Sequence, residues 1–318
     1  MPAIVTHECF AREAYDLLSA KVGTSKDCRE AFILGNQGPD PLFYCMVDPQ
    51  VSQWSETGYA LHRGNSAAVL AAMKHAVNFV PQQDKDVARA YALGFMCHYL
   101  LDSTVHPLVY AQQYAMCDAG VAGLTRENGT GVHATIECEW DEVMVATKLN
   151  SDLQHFSPAK ELLHASRGVL KTISTMYSFV ILTTQNQLPP TDIFVRSVKL
   201  FRAAQVLFYS KRGIKRWLIA RTEETLNTYS SYASLSMRPG RREESAFENR
   251  AHDEWTDPAT AEKRTESFGD LYARALSRVV ESAELLLSAD FNADVAEKIT
   301  HGLDFNGLPA GGVLLTTE

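Results

Sequence analysis

Three side chains capable of binding metal lie four residues apart in the apolar segment 94–110, GFMCHYLLDSTVHPLVY. Four residues of an α-helix turn through about 400°, so His98, Asp102 and His106 would form a stripe along one face. Their aliphatic neighbours predict a largely enclosed helix, and an enclosed carboxylate needs a partner because burying an unpaired charge is costly. A divalent cation supplies that partner, and imidazole together with carboxylate suits zinc and related first-row metals.

The same residue types recur within the first 140 residues of the chain. His133 and Glu137 are again four residues apart, Asp40 lies between two prolines, His62 precedes an alanine-rich run, and His7 lies near the start. Any single His–carboxylate pair could be a hydrogen-bonded pair in the core. All eight residues together predict at least one bound metal ion.

The size of this set favours a cluster of ions over a single one. A zinc ion takes about three or four protein ligands, so eight candidates imply about two or three ions, with a carboxylate such as Asp102 free to bridge. We expect Zn²⁺, and another divalent metal is the alternative. Clustered metals are used to cleave phosphate esters, because they clamp the phosphoryl oxygens and lower the pKa of a bound water. The predicted chemistry is therefore phosphoester hydrolysis.

Helical periodicity dominates the segments that must position these residues. We expect one helix over about 57–80 with His62 near its start, and another over about 87–105 that stops at Pro107, because proline disfavours helix in the preceding residue. Apolar residues at three- and four-residue spacing predict further helices over 159–182 and 268–287. The prediction is an all-α multi-helix bundle, most simply one domain over 1–318, with the candidate ligands concentrated in 1–145.

Composition narrows the class of protein. The formal net charge of −8 argues against a surface built to hold nucleic acid. No continuous apolar run is long enough for a transmembrane helix. The six cysteines form no tight pattern, and the N-terminus MPAIVTHECF lacks the features of a signal peptide, so we expect a cytoplasmic protein with free thiols. Nothing in the sequence indicates the oligomeric state.

A short basic segment, KRGIKRW at 211–217, allows two interpretations. It could contact anionic lipid or phosphate, since cations and a tryptophan lie together. The simpler interpretation is a solvated helix end, because a few surface charges usually mean no more than that.

The order of the motifs resembles a known family. His7, GPD at 38–40, LH at 61–62, HYLLDSTVHP at 98–107 and H-x-x-x-E at 133–137 resemble the zinc-dependent phospholipase C family, which shares its helical fold with the S1/P1-type nucleases. The resemblance implies that Asp40, His62, His98 and Asp102 hold one zinc ion. It further implies that a second ion is held by His106, His133 and Glu137, and a third by His7 with Asp102.

Two further expectations come from the resemblance. Asp40 would be the general base that aligns the attacking water. Secreted members of the family complete the third site with the amino group of the mature N-terminal residue, whereas Pro2 would supply an imino nitrogen here once Met1 is removed.

Three functions remain open at this stage. The first is a phospholipase C-type enzyme that cleaves a phospholipid or a small phosphodiester. The second is a nuclease or nucleotide phosphoesterase on the same scaffold, which the acidic net charge disfavours. The third is a non-catalytic helical module that binds metal for folding or for a partner.

Overall fold

The helix that carries the His98–Asp102–His106 stripe is the longest one in the part of the chain that the structure describes. The computed structural model describes residues 3–121, 124–226 and 233–311, and for residues 224–226 and 234 it describes the backbone alone. This helix, α5 (Lys85–Cys117), has 33 residues and is buried almost continuously from Ala88 to Val109. Both sides of α5 are therefore covered by other elements.

Helices make up the fold around α5, and the all-α prediction is confirmed. The other helices in the described ranges are α1 (Ile4–Val22), α2 (Lys26–Gly35), α3 (Ser55–Arg63), α4 (Ser66–Ala76), α6 (Gly129–Thr147), α7 (Pro158–Glu161), α8 (Arg167–Gln185), α9 (Ile193–Phe208), α10 (Ile214–Leu226), α11 (Phe268–Ser277), α12 (Val279–Leu287) and α13 (Ala293–Thr300).

Short 3₁₀ helices and one small hairpin complete the described structure. The 3₁₀ helices are η1 (Asp40–Val47), Ser52–Trp54, Val77–Phe79, Gln82–Asp84, Arg126–Asn128, Ala233–Leu235 and Ala246–Glu248. The hairpin pairs β1 (Trp255–Thr256) with β2 (Lys263–Arg264) in antiparallel register. Of these elements, η1 matters most to the site because it begins at Asp40.

Two facing glycines let α2 cross α5 at very short distance. A Cβ atom on Gly94 would lie 2.1 Å from Phe32 O, and one on Gly35 would lie 2.6 Å from Tyr91 O. Helices α1 and α6 also pack against α5. The close crossing brings the turn after α2, and with it Asp40, next to His98.

The helix was predicted to stop at Pro107, and this is wrong. Helix α5 continues through Pro107 for ten further residues to Cys117. Proline removes one helical hydrogen bond at a cost of about 3 kcal/mol, but this segment is buried and its tertiary packing outweighs that cost. His106 consequently lies within a regular helix and stays in line with Asp102.

The predicted alanine-rich helix over 57–80 is two helices instead of one. Gly64 has an extended backbone, and the Asn65 side chain accepts a hydrogen bond from Ala68 N at 2.9 Å to start α4. His62 therefore lies in the last turn of α3 and not near the start of the alanine-rich helix. Side-chain capping, which competes with helix propensity, decided this boundary.

Each of the two other long predicted helices is also two helices in the structure. Within 159–182, α7 ends at Glu161, Leu163 has φ of +59°, and Ser166 caps α8 by accepting from Val169 N. Within 268–287, the chain turns at Arg278 between α11 and α12, and the Arg278 guanidinium donates to Ile299 O. Apolar spacing alone did not show these breaks because both halves bury apolar faces.

One cluster of buried apolar side chains extends from Ile4 to Phe305. The single-domain interpretation stays a prediction. Among the described residues, none of the helices has the length and apolar character needed to cross a bilayer.

Candidate metal centre

All eight candidate ligands meet around the polar stripe of α5. Helix α1 contributes His7, η1 contributes Asp40, and α3 contributes His62, and these three lie against the His98–Asp102 turns. Helix α6 contributes His133 and Glu137, which lie beside His106 one turn further along α5. We call these the first group (His7, Asp40, His62, His98 and Asp102) and the second group (His106, His133 and Glu137).

Asp102 lies close to all three histidines of the first group. Its Oδ1 lies 3.1 Å from His7 Nε2, and its Oδ2 lies 3.2 Å from His98 Nε2 and 3.8 Å from His62 Nε2. Asp40 Oδ1 lies 3.1 Å from His62 Nε2 and 3.8 Å from His98 Nε2. Two carboxylates and three imidazoles therefore converge on one small buried volume.

The second group is simpler. Glu137 Oε1 lies 3.5 Å from His106 Nε2 and 3.4 Å from His133 Nε2. Because His133 and Glu137 are one turn apart on α6, both side chains point to the same face and toward α5.

Three sets of donor atoms, each within 4.8 Å of one another, occur in the described residues: His7–Asp40–His98, His62–His98–Asp102 and His106–His133–Glu137. These sets contain every predicted ligand. The third site implied by the resemblance also requires Pro2, which lies outside the described residues.

Four of the histidines are oriented by acceptors on their Nδ1 side. His62 Nδ1 lies 2.7 Å from Gly58 O, and His106 Nδ1 lies 2.8 Å from Phe305 O. Likewise, His98 Nδ1 lies 3.0 Å from Asn36 O and His133 Nδ1 lies 3.1 Å from the Gln113 side-chain oxygen. When such a ring is neutral, its acceptor places the proton on Nδ1, which leaves the Nε2 lone pair for a metal ion.

A lone pair that faces a carboxylate is repelled unless a cation lies between them. His98 Nε2 is fully buried and has no hydrogen-bond partner, although it lies 3.2 Å from Asp102 Oδ2. A buried polar atom without a partner costs about 1–3 kcal/mol. The donor set therefore fits a divalent metal, because coordination would satisfy this nitrogen and the carboxylates together.

His7 is less strongly defined as a ligand than the other histidines. Its Nδ1 lies 3.3 Å from His98 Nδ1, and its Nε2 lies 3.1 Å from Asp102 Oδ1. The second contact is also the geometry of an ordinary hydrogen bond.

The carboxylates of both groups are ionised. Burial alone would raise the pKa of Asp102, but His98, His106 and His7 hold it well below the usual value. The pKa of Asp40 is likewise lowered by His62 and His98 against the effect of burial. Burial would also raise the pKa of Glu137, and His133 and His106 help to hold it well below normal. The centre thus concentrates negative charge that bound cations would neutralise.

Phe305 joins the two groups from the far end of the chain, and sequence reasoning did not find it. Its carbonyl orients His106, its N–H donates to His62 O at 3.1 Å, and its ring lies 5.2 Å from that of His62. The turn around it is set by Asp304, whose Oδ1 accepts from Asn306 N and Leu308 N. The DFNG signature could have predicted a turn, but not its position against the centre.

Asp141 supports the centre indirectly. Its Oδ1 accepts from Val5 N, Thr6 N and the Thr6 hydroxyl at 2.8–3.1 Å, which holds the start of α1 and so the position of His7. Burial outweighs these hydrogen bonds and raises the pKa of Asp141 to about 8.

Two of the candidate ligands remain in contact with solvent. The side chain of Asp40 in the first group keeps 13% of its area exposed, and that of His133 in the second group keeps 17%. The other ligands of the two groups are buried. Water and a substrate could therefore reach the centre at these points, as a catalytic metal site requires and a closed structural site does not.

We expect zinc binding at the second group to release about one proton per ion between pH 7 and 8. Burial lowers the pKa of His106, but Asp102 and Glu137 outweigh it and raise the pKa to about 9, so the metal-free ring is protonated. Burial lowers the pKa of His133, which is therefore already neutral. The apparent zinc affinity should rise about tenfold per pH unit up to about pH 9, since one proton competes with the ion.

Titration calorimetry in buffers of different ionisation enthalpy measures this proton. Glu137→Gln is the comparison, because the difference between its titration and that of the wild-type protein isolates the second group. A zinc affinity that does not change between pH 6.5 and 9 would contradict the prediction.

Comparison with known proteins identifies a family. The family model described as zinc-dependent phospholipase C matches residues 6–176, which is more than half of the chain and includes all eight candidate ligands. No curated protein and no solved structure gives a significant match.

Proposed function

Because the chain belongs to the zinc-dependent phospholipase C family, a family of zinc-dependent phosphodiester hydrolases, we propose that it cleaves the phosphodiester bond of a phospholipid with water. The reaction would break the bond between phosphorus and the glycerol oxygen and yield a diacylglycerol and a phosphorylated headgroup. The cofactor is zinc, in about two or three ions.

We assign the ligands from the two groups. Asp40, His62, His98 and Asp102 would hold one ion, and His106, His133 and Glu137 would hold a second. His7 with Asp102 would contribute to a third. The assignment is supported by the Nε2–carboxylate contacts of 3.1–3.8 Å and by the Nδ1 acceptors that orient four of the rings.

Bound zinc would supply Lewis acidity, which lowers the pKa of water and neutralises charge on the phosphoryl oxygens. Among the residues of the chain, Asp40 is the candidate general base. Its carboxylate is ionised, its side chain is 13% exposed, and its Oδ1 lies 3.1 Å from His62 Nε2 within the first group. Asp40 would align the attacking water and accept its proton.

One observation carries the proposal: two ligand groups occupy successive turns of α5, and each has one ligand that solvent reaches. Successive turns of an α-helix are about 5.4 Å apart along its axis, so ions held by the two groups would lie close enough to contact one substrate phosphate. A module that used metal only for folding would need one closed set of ligands.

The substrate class follows from the family and from charge. The acidic chain, with a net charge of −8, repels nucleic acid, which makes a nuclease the weaker alternative. A small soluble phosphodiester remains the alternative to a phospholipid. The expected cytoplasmic location is supported by six free and buried thiols, since reducing compartments keep cysteines unpaired.

The test combines metal content with turnover on the same samples. Elemental mass spectrometry should find about two or three zinc ions per chain. Hydrolysis of a chromogenic phosphodiester and of phosphatidylglycerol in mixed micelles should stop on chelation and return when zinc is added. One tightly held ion without turnover would instead establish a structural module, and turnover confined to single-stranded nucleic acid would establish a nuclease.

A further inference from the structure

The charged residues of helix α9 and of the first nine residues of α10 are all cationic, and Glu223 and Glu224 follow in the last turns of α10. Between positions 193 and 222 the chain carries eight lysines and arginines and no acidic residue. The rest of the chain carries the other 22 lysines and arginines against all 38 acidic residues. One segment is therefore basic in a protein that is otherwise strongly acidic.

Helix α10 points its apolar stripe away from the protein. Ile214, Trp217 and Leu218 follow the i, i+3, i+4 spacing of one helix face, and they are 56%, 60% and 52% exposed. The orientation is held from the inner side, where the Arg216 guanidinium donates to Ala233 O and Ser236 O. An amphipathic helix in a globular protein normally turns such a stripe toward the core.

The end of α9 extends the same surface. Val206 and Leu207 are 58% and 61% exposed, and the Ser236 hydroxyl donates to Phe208 O at 2.9 Å, which joins this end to the inner side of α10. Lys211 and Lys215 are exposed between these apolar groups. We call this the α9–α10 surface, made of Val206, Leu207, Lys211, Ile214, Lys215, Trp217 and Leu218.

We propose that the α9–α10 surface docks the protein onto an anionic lipid bilayer. The apolar side chains would enter the boundary between headgroups and acyl chains, and the lysines would contact lipid phosphates. The inference rests on the proposed function, since a phospholipid hydrolase must reach its substrate at a bilayer. It assigns a second contact with lipid, separate from the metal centre.

Charge favours an anionic bilayer over a second copy of the chain as the partner of this surface. A second copy docked through the same surface would bring lysines against lysines, which disfavours a symmetric dimer. A basic apolar helix with a tryptophan is the composition of helices that lie in the membrane interface. The acidic remainder of the chain is repelled by anionic lipid, which favours docking through this surface.

Helix α9 links the α9–α10 surface to the metal centre through packing contacts. Helix α9 packs on η1, the element that begins at Asp40, and the Phe201 ring stacks on the Tyr44 ring with centroids 4.1 Å apart. The Arg196 guanidinium also donates to the Gln50 side chain at 3.2 Å. Docking would therefore bring the bilayer against α9, the helix that packs on the element carrying Asp40.

The experiment is cosedimentation of the full-length protein with sucrose-loaded vesicles. We expect binding to vesicles that contain phosphatidylglycerol, weak binding to pure phosphatidylcholine, and a loss of binding at high salt. Trp217→Ser with Leu218→Ser, and separately Lys211→Glu with Lys215→Glu, should each weaken binding by about tenfold or more.

Matched controls change the same chemistry elsewhere. Leu182→Ser with Leu188→Ser removes two exposed apolar groups outside the surface, and Lys171→Glu with Lys298→Glu makes the same charge change. Both controls should bind vesicles as the wild-type protein does. All four variants should keep wild-type turnover of a soluble chromogenic phosphodiester.

The outcomes separate this inference from the proposed function. Vesicle binding without any turnover would support docking through the α9–α10 surface and refute the proposed hydrolase activity. Zinc-dependent turnover of the soluble substrate without vesicle binding, or with binding that the surface variants leave unchanged, would overturn the surface. Self-association in light scattering that Trp217→Ser abolishes would also overturn it, in favour of a dimer.

Discussion

Replacing Asp102 with asparagine is expected to lower kcat/KM for a chromogenic phosphodiester by about 10³ or more, because a bridging metal ligand contributes several kcal/mol of transition-state stabilisation. Asp102 lies within 4 Å of His7, His98 and His62, with both of its oxygens engaged. Asparagine keeps the shape but removes the negative charge and one acceptor oxygen. The same preparation should lose zinc from the first group and keep the ion of the second group.

The controls separate loss of the site from loss of the fold. Asp118→Asn makes the same chemical change at an exposed surface pair with Arg126 and should leave zinc content and activity unchanged. Glu137→Gln should show the complementary pattern and lose only the second-group ion. Circular dichroism checks that each variant is helical. Full zinc content and full activity in folded Asp102→Asn would refute the central role of this carboxylate.

Substituting Gly38 by alanine is expected to displace the His98 ring, and with it the zinc of the first group. A Cβ atom at Gly38 would lie 2.1 Å from His98 Cδ2, far inside contact distance. The backbone cannot easily retreat, because the Tyr177 hydroxyl donates to Gly38 O at 2.7 Å and the Tyr91 hydroxyl donates to that of Tyr177. We expect a loss of about 2–4 kcal/mol in the free energy of unfolding, from overpacking and from the left-handed backbone together.

Gly120→Ala is the matched control for this substitution. Gly120 also has positive φ, +74° against +50° at Gly38, but a Cβ atom there meets nothing within 4 Å. It should cost only the left-handed conformation, about 1 kcal/mol, and leave zinc content unchanged. Thermal unfolding and zinc content measure both effects. Equal values for the two variants would mean that the loop relaxes around His98.

Some boundaries were wrong because local signals compete with burial. Pro107 predicts a helix end, and in an isolated peptide it would favour one, but α5 is buried on both sides of it and continues. Asn65 and Ser166 start new helices inside runs whose apolar spacing is unbroken. Apolar periodicity indicates which residues are buried, but it does not indicate where the chain turns between two buried faces.

The sequence by itself determined the all-α class and the candidate ligands, because both depend on local chemistry. Helical spacing decides that His98, Asp102 and His106 share a face, and the recurrence of histidines and carboxylates in apolar segments predicts metal binding. Only the tertiary structure decided which ligands meet and how they are held. The contacts of His7 and Asp40 with α5, and of Phe305 with His62 and His106, join residues separated by dozens to hundreds of positions. Such contacts depend on how whole helices pack, and spacing along the chain does not encode that packing.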